Sequence, residues 1–347
     1  MININDAWDN FCDGDYDMTQ NISINENKLD DKPKCSDLYI STKTKISYLN
    51  KLINLKKVFW DLPVIEYHLE KEGIIKKQMK LVSDNEEDLE EIKQNILDNK
   101  RKYKTYTDEI IITNIVNPNG RIKFKDIRKI NIGLSKKDII SYKCKKKGAF
   151  YNCFVVIIRK KYKGIYREIH IKVFNTGKLE IPGIKNDELL ECALNLLIDI
   201  ISLIDNNKDL KYLKEKNETV LINSNFTCGF YINRNKLYQL LKYKYKINSG
   251  YDSCSYPGIQ CEFYYNDTLN IQTGIKFNKT QKKVSFMIFR TGSVLIVGKT
   301  TEKIIFLIYE FIKKILLDEY DNIFEKNIIK EKIKSNKKRK KVLIIEG

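Results

Sequence analysis

Histidine is nearly absent: His68 and His170 are the only two in 347 residues. General acid–base chemistry would have to rest on isolated carboxylates, and none of them pairs suggestively. The eight cysteines form no CxxC pair and no knuckle spacing, so no structural zinc site is expected. No glycine-rich phosphate loop precedes a helix, and no triad of His and carboxylates occurs. The expectation is a non-enzyme without metal or cofactor. No apolar run reaches membrane-spanning length. The polar, acidic start has no signal-peptide character, which predicts a soluble intracellular protein with reduced thiols.

Positive charge is abundant. Lys and Arg number 63 against 45 Asp and Glu, a formal net charge of +18, and such a surplus favours a polyanionic partner. The chain is also saturated with Lys, Ile, Asn and Tyr, as proteins of AT-rich genomes are, so charge alone does not assign nucleic-acid binding. A hydrophobic share of 42% suffices for one large domain or two moderate ones.

The strongest pattern is a repeat. KVFNTGKLEIPG, residues 172–183, returns as MIFRTGSVLIVG, residues 287–298, with Phe174 and Phe289, Gly177 and Gly292, and Gly183 and Gly298 at matching offsets. Strand, tight polar turn with Gly, and strand is hairpin punctuation. Each hairpin precedes a long apolar-periodic stretch, 187–204 and 301–317, that reads as a helix. A recurring unit of this kind is a duplicated half-domain.

In order, the chain predicts a disordered acidic arm over 1–33 and an N-terminal extension with an acidic helical linker over 34–106. Repeat 1 spans 107–210, repeat 2 spans 211–322, and a basic tail with KKRKK spans 323–347. Phe124–Ile132 suggests a short helix, and Thr268–Phe277 a strand. Strands with helices segregated to one side give an α+β arrangement. The other sheet face is then bare.

These residues resemble the TATA-box-binding-protein family over roughly 108–322. Supporting matches are ITNIV at 112–116, VVIIR at 155–159 and SYPG at 255–258. The insertions and extension are similar to divergent copies carried by large nucleocytoplasmic DNA viruses. The resemblance implies a saddle of two pseudo-repeats, with a curved antiparallel sheet and helices on its convex side. It also implies that the concave face sits in the minor groove of double-stranded AT-rich DNA and bends it. A transcription-factor-B-type protein and RNA polymerase would be the partners, in a nucleus, a cytoplasmic viral factory or a virion.

Carried over by position, Phe174 and Phe289 are one wedge in each half, and Tyr256 is the other wedge of the second. Its first-half counterpart falls on Cys153 or Phe154. Asn114 and Asn223 match the central Asn that donates to base acceptors, and Arg159, Lys178 and Lys185 match phosphate contacts. The chemistry suits such roles: the minor groove of A·T pairs shows only acceptors. Apolar wedges unstack a base step, more cheaply at flexible TA steps. Cations at the rim add salt-dependent affinity.

Departures stand at Cys153, Pro182, Tyr256, Glu262 and Val297, where the family pattern differs, and they put affinity or TATA preference in question. Two alternatives remain: a degenerate saddle acting as a protein–protein scaffold, and a nucleic-acid-binding accessory domain of a repair or nuclease system. The acidic run 84–98 reads as a solvated helix face, with mimicry of DNA over the bare sheet as a second reading. KKRKK reads equally as an import signal, a DNA-gripping tail or solvated lysines.

Overall fold

The computed structural model describes residues 33–103, 105–140, 150–206, 208–269, 271–278 and 281–326. The chain divides into two compact units, 1–34 and 35–347, and the architecture below is that of the second. KKRKK and nearly all of the expected acidic arm lie outside the described residues.

In chain order the elements are β1 (Tyr39–Tyr48), α1 (Leu55–Asp61), β2 (Gly73–Ser83), α2 (Glu86–Tyr103), β3 (Thr107–Val116), β4 (Phe124–Gly133) and α3 (Lys136–Ile140). Next come β5 (Cys153–Tyr162), β6 (Ile165–Phe174), β7 (Lys178–Ile181), α4 (Asp187–Asp205), β8 (Glu218–Thr227) and α5 (Arg234–Gln239), which runs into a π turn at Leu240–Lys244. The series closes with β9 (Asn248–Gly250), β10 (Gly258–Tyr265), β11 (Lys282–Phe289), β12 (Ser293–Gly298), α6 (Glu302–Asp318) and α7 (Tyr320–Ile323).

All twelve strands join one antiparallel sheet in the order β3-β4-β2-β5-β6-β7-β1-β8-β12-β11-β10-β9. β1 and β8 meet at its middle. Outward from them, β7-β6-β5-β2 on one side mirrors β12-β11-β10-β9 on the other. The first half alone continues, into the hairpin β4–β3.

Period-two alternation assigns the faces. Ile169, Ile171 and Val173 of β6 join one core with Leu190, Leu194 and Leu197 of α4. Ile222 and Phe226 of β8 join a second core with Ile305, Ile308 and Ile312 of α6. Both cores lie on one side of the sheet, since Lys43 and Lys45, two apart on β1, reach Glu302 of α6 and Asp187 of α4 at 2.5 and 2.7 Å. These carboxylates sit in the first turn of their helices, where they also complement the helix dipole. The fold is α+β, an open antiparallel sheet with helices, as the resemblance implied.

The duplication is written in hydrogen bonds. The Leu49 N–H donates to Gly177 O, and the Cys228 N–H to Gly292 O; the Ile53 N–H donates to Asn175 O, and the Ile232 N–H to Arg290 O. Asn54 caps α1 by accepting from the Lys57 N–H, and Asn233 caps α5 by accepting from the Lys236 N–H. Gly177 and Gly292 have φ of +78° and +79°, and a Cβ there would stand 2.5 Å from Lys51 O and 2.3 Å from Phe230 O. Only glycine fits so close an approach in a left-handed conformation. Each hairpin turn is thus locked under the connection from its half's first strand to its first helix.

This pairing corrects three sequence expectations. Residues 34–106 are not an extension docked on the main domain: β1 is the first half's strand at the middle of the sheet and α1 its first helix. The hairpin β3–β4, with α2 and α3, is the inserted material. Phe124–Ile132 is strand, not helix, because Ile130 and Ile132 alternate into the core from β4. No strand covers Thr268–Phe277 among the described residues. There Asn266 Oδ1 accepts from both the N–H and the hydroxyl of Thr268, and Gln272 Nε2 donates to Asn266 O. Local side-chain bonds of this kind compete with a strand ladder. The acidic helix α2 packs Ile92 and Ile96 into the helix-side core, so it does not lie over the opposite face.

Candidate nucleic-acid interface

The face turned away from the helices carries the other set of alternating side chains. At its middle, Asn223 of β8 stands opposite Thr42 of β1 and Val297 of β12, and Asn223 Nδ2 donates to Thr42 Oγ1 at 2.8 Å. Asn225 follows two positions on, opposite Leu295. Leu221, Leu295, Val297 and Met287 form an apolar floor that belongs to neither core and is less than a tenth exposed. Amide donors over an apolar floor are suited to a groove that offers only acceptors and hydrocarbon edges.

At the second-half end, Tyr256 and Phe289 are half-buried neighbours with ring centroids 6.1 Å apart and planes tilted by 57°. Gly258 pairs with Phe289 in the ladder. A Cβ on Gly258 would meet the Phe289 ring at 2.9 Å and the Tyr256 ring at 3.0 Å. The two rings close over the backbone because this position has no side chain.

At the first-half end, Cys153 takes the place of Gly258, for it pairs with Phe174 as Gly258 pairs with Phe289. The residue two before β5, matching Tyr256, is therefore Tyr151. Cys153 is buried, and burial pushes its thiol up to about 11 against the pull of Lys172. Its side chain fills the space over which the second-half rings close. Phe174 stays half-buried while Tyr151 is 55% exposed. Lys178 Nζ lies 5.5 Å over the Phe174 ring, and Lys80 Nζ 3.5 Å over the Tyr151 ring.

The remaining expected residues are placed as follows. Phe154 points into the helix-side core, fully buried against Phe59 at 6.4 Å, because it is one step out of register with the open face. Asn114 lies on β3, the outermost strand, and donates to Asp126 Oδ2 at 2.8 Å. The position in β1 that corresponds to Asn223, by the Leu49/Cys228 and Ile53/Ile232 landmarks, is Thr44. Arg159 is buried with its guanidinium donating to Lys71 O at 3.0 Å, Tyr67 O at 2.6 Å and Leu69 O. It clamps residues 67–71, so the buried guanidinium is committed to backbone carbonyls rather than presented to a phosphate. Lys185 is exposed and donates to Tyr39 Oη at 2.6 Å. Glu262 is on the open face; burial raises its carboxyl, but hydrogen bonds from Lys283 and Tyr264 hold it below the usual carboxylate range.

The outer part of the first-half open face is not bare. Asp138 of α3 accepts from Lys76 Nζ at 2.7 Å, and the Lys136 N–H donates to Glu168 at 3.0 Å. His170 lies beneath this segment, where burial together with Lys137 and Lys76 pushes it down to about 4. Among the described residues no three His, Cys, Asp or Glu side chains gather as a metal site, and no helix is long and apolar enough to cross a membrane.

Fold and surface define a duplicated α+β protein whose open sheet face carries amides at its middle, an aromatic pair at the second half's end and separate, lysine-covered rings at the first half's end. The chain is 29% identical over 210 residues to a protein of Acanthamoeba polyphaga mimivirus described as TATA-box-binding protein-like, an alignment covering 53% of each. It thus spans about half the length of the curated relative it matches. The solved Methanococcus jannaschii TBP aligns over 83% of this chain and 99% of its own at 13% identity, with a TM-score of 0.36, a likeness too slight to argue from. No family model matches. The resemblance read from the sequence stands: the chain is similar to a divergent viral TATA-box-binding-protein-like protein.

Proposed function

We propose that this chain is a TATA-box-binding-protein-like transcription initiation factor, acting by binding rather than catalysis. Its open sheet face enters the minor groove of AT-rich promoter DNA and bends it, and its helices recruit a transcription-factor-B-type protein and RNA polymerase. The observation that carries the reading is the Tyr256–Phe289 pair, closed over Gly258 at one end of the open face. A tilted aromatic pair of this kind can enter a base step and hold it unstacked. Asn223 and Asn225, with Thr42 and Thr44, supply short polar groups at the middle, and Phe174 with Lys178 supplies ring and cation at the other end. The net charge of +18 supports a polyanionic partner.

Binding and bending of an end-labelled AT-rich duplex, followed by energy transfer across a salt series, test this reading. The expected outcome is salt-sensitive binding with strong bending, and Phe289→Ala should lose at least tenfold in affinity and most of the bend. Absence of binding would sink the proposal. One observation favours the scaffold as a second reading: α3 lies across the outer open face through Lys76 and Glu168. A protein that binds partners but no duplex would have that face closed.

A further inference from the structure

The first-half end differs from the second in a way that a duplex wedge does not require. Phe150 and Tyr151 are 52% and 55% exposed, although large apolar rings rarely stand open side by side without a partner. Each has a lysine over it: Lys172 Nζ lies 4.6 Å from the Phe150 centroid and Lys80 Nζ 3.5 Å from that of Tyr151. Phe174 with Lys178 repeats the arrangement on the neighbouring strands β6 and β7. The lysines come from β2, β6 and β7, the rings from β6 and from residues 150 and 151 ahead of β5, all within four neighbouring strands. The rings are brought to one end of the sheet, each against a lysine rather than against another ring. Lys172 also pairs with Glu180 at 2.8 Å, whereas Lys80 and Lys178 have no carboxylate partner among the described residues.

We propose that this cluster is a subsite for unpaired nucleotides. Exposed rings interleaved with ammonium groups are the chemistry that binds single strands: bases stack on the rings while the cations follow the phosphates, with little regard to sequence. A paired base opens its π-face to a ring only at the cost of unstacking a step, so the cluster favours strands that are melted or single. The inference stands on Phe150, Tyr151, Lys80 and Lys172 and does not need the duplex reading.

The full chain carrying Tyr151→Trp is titrated with a ~12-nucleotide oligothymidylate, with its RNA counterpart, and with an AT-rich duplex, while indole emission is followed. Quenching by the DNA strand or the RNA strand is expected and supports the subsite. Phe150→Ala/Tyr151→Ala should weaken single-strand binding about a hundredfold, near tenfold for each ring. Lys80→Gln should lower the salt dependence of binding without removing a ring. Unchanged emission at saturating oligonucleotide, or a double variant that folds and binds the strand like the parent, overturns the inference. Duplex binding without single-strand binding overturns it and leaves the duplex reading intact. Single-strand binding alone does the reverse.

Discussion

The two halves share one frame and differ at the ends of their open faces. In the second half, Gly258 leaves room for Tyr256 and Phe289 to close over the backbone. In the first, Cys153 has a side chain in that room, and the rings stand under lysines instead. What has been retained is the lock between hairpin turn and first connection. What has diverged is the surface that the lock supports. A duplicated frame can therefore hold two different binding chemistries without disturbing its cores.

The largest expected effect would break the shared frame. Gly177→Ala and Gly292→Ala each force a Cβ onto a carbonyl oxygen at positive φ, and each should cost about 2–4 kcal/mol in thermal or denaturant unfolding. A large loss in one half and none in the other would mean that the locks are not equivalent. Arg159→Met should cost on the order of 2–3 kcal/mol by stripping carbonyls 67, 69 and 71 of their buried donor. Its salt dependence of DNA binding should match the parent; a reduced slope would return Arg159 to the phosphate contacts.

Gly258→Ala should cost about 1–2 kcal/mol through overpacking of the two rings. It should also reduce DNA bending, while Cys153→Gly lets Phe174 and Tyr151 close as their counterparts do. A variant structure with those rings still apart would show that the thiol is not what separates them. The last effect is absent at neutral pH and develops only in acid. His170 stays neutral in the fold down to about 4, whereas an unfolded histidine gains its proton near pH ~6.5. Its contribution is present above that value and drains as pH falls towards about 4. His170→Gln should flatten that part of a stability-against-pH curve, and an unchanged slope would assign it to other groups.

The hairpins were legible in the sequence because a glycine forced into positive φ leaves a fixed mark, and two such marks at matching offsets reveal a copy. That the first half begins at β1 was not legible. β1 reads TKTK where a buried strand would be apolar, since Lys43 and Lys45 face helix carboxylates across the sheet. ITNIV at 112–116 looked like that strand, yet it pairs with β4, the next strand along the chain, at the outer edge of the sheet. A usable signal was present: Ile53-Asn54 with Lys57 recurs as Ile232-Asn233 with Lys236, the chemistry of a repeated helix cap. Tyr151 was missed for a related reason. Its correspondence to Tyr256 emerges only from the ladder register, because the loop between the paired strands differs in length between the halves.

Among the described residues the hairpin β4–β3 has no counterpart beyond β9. Without it, the near two-fold relation of the halves would make the molecule almost the same after half a turn about its middle. Any track that is itself nearly palindromic could then be mounted in two directions at equal cost. Extra strands on one flank remove that ambiguity and give the protein a front and a back.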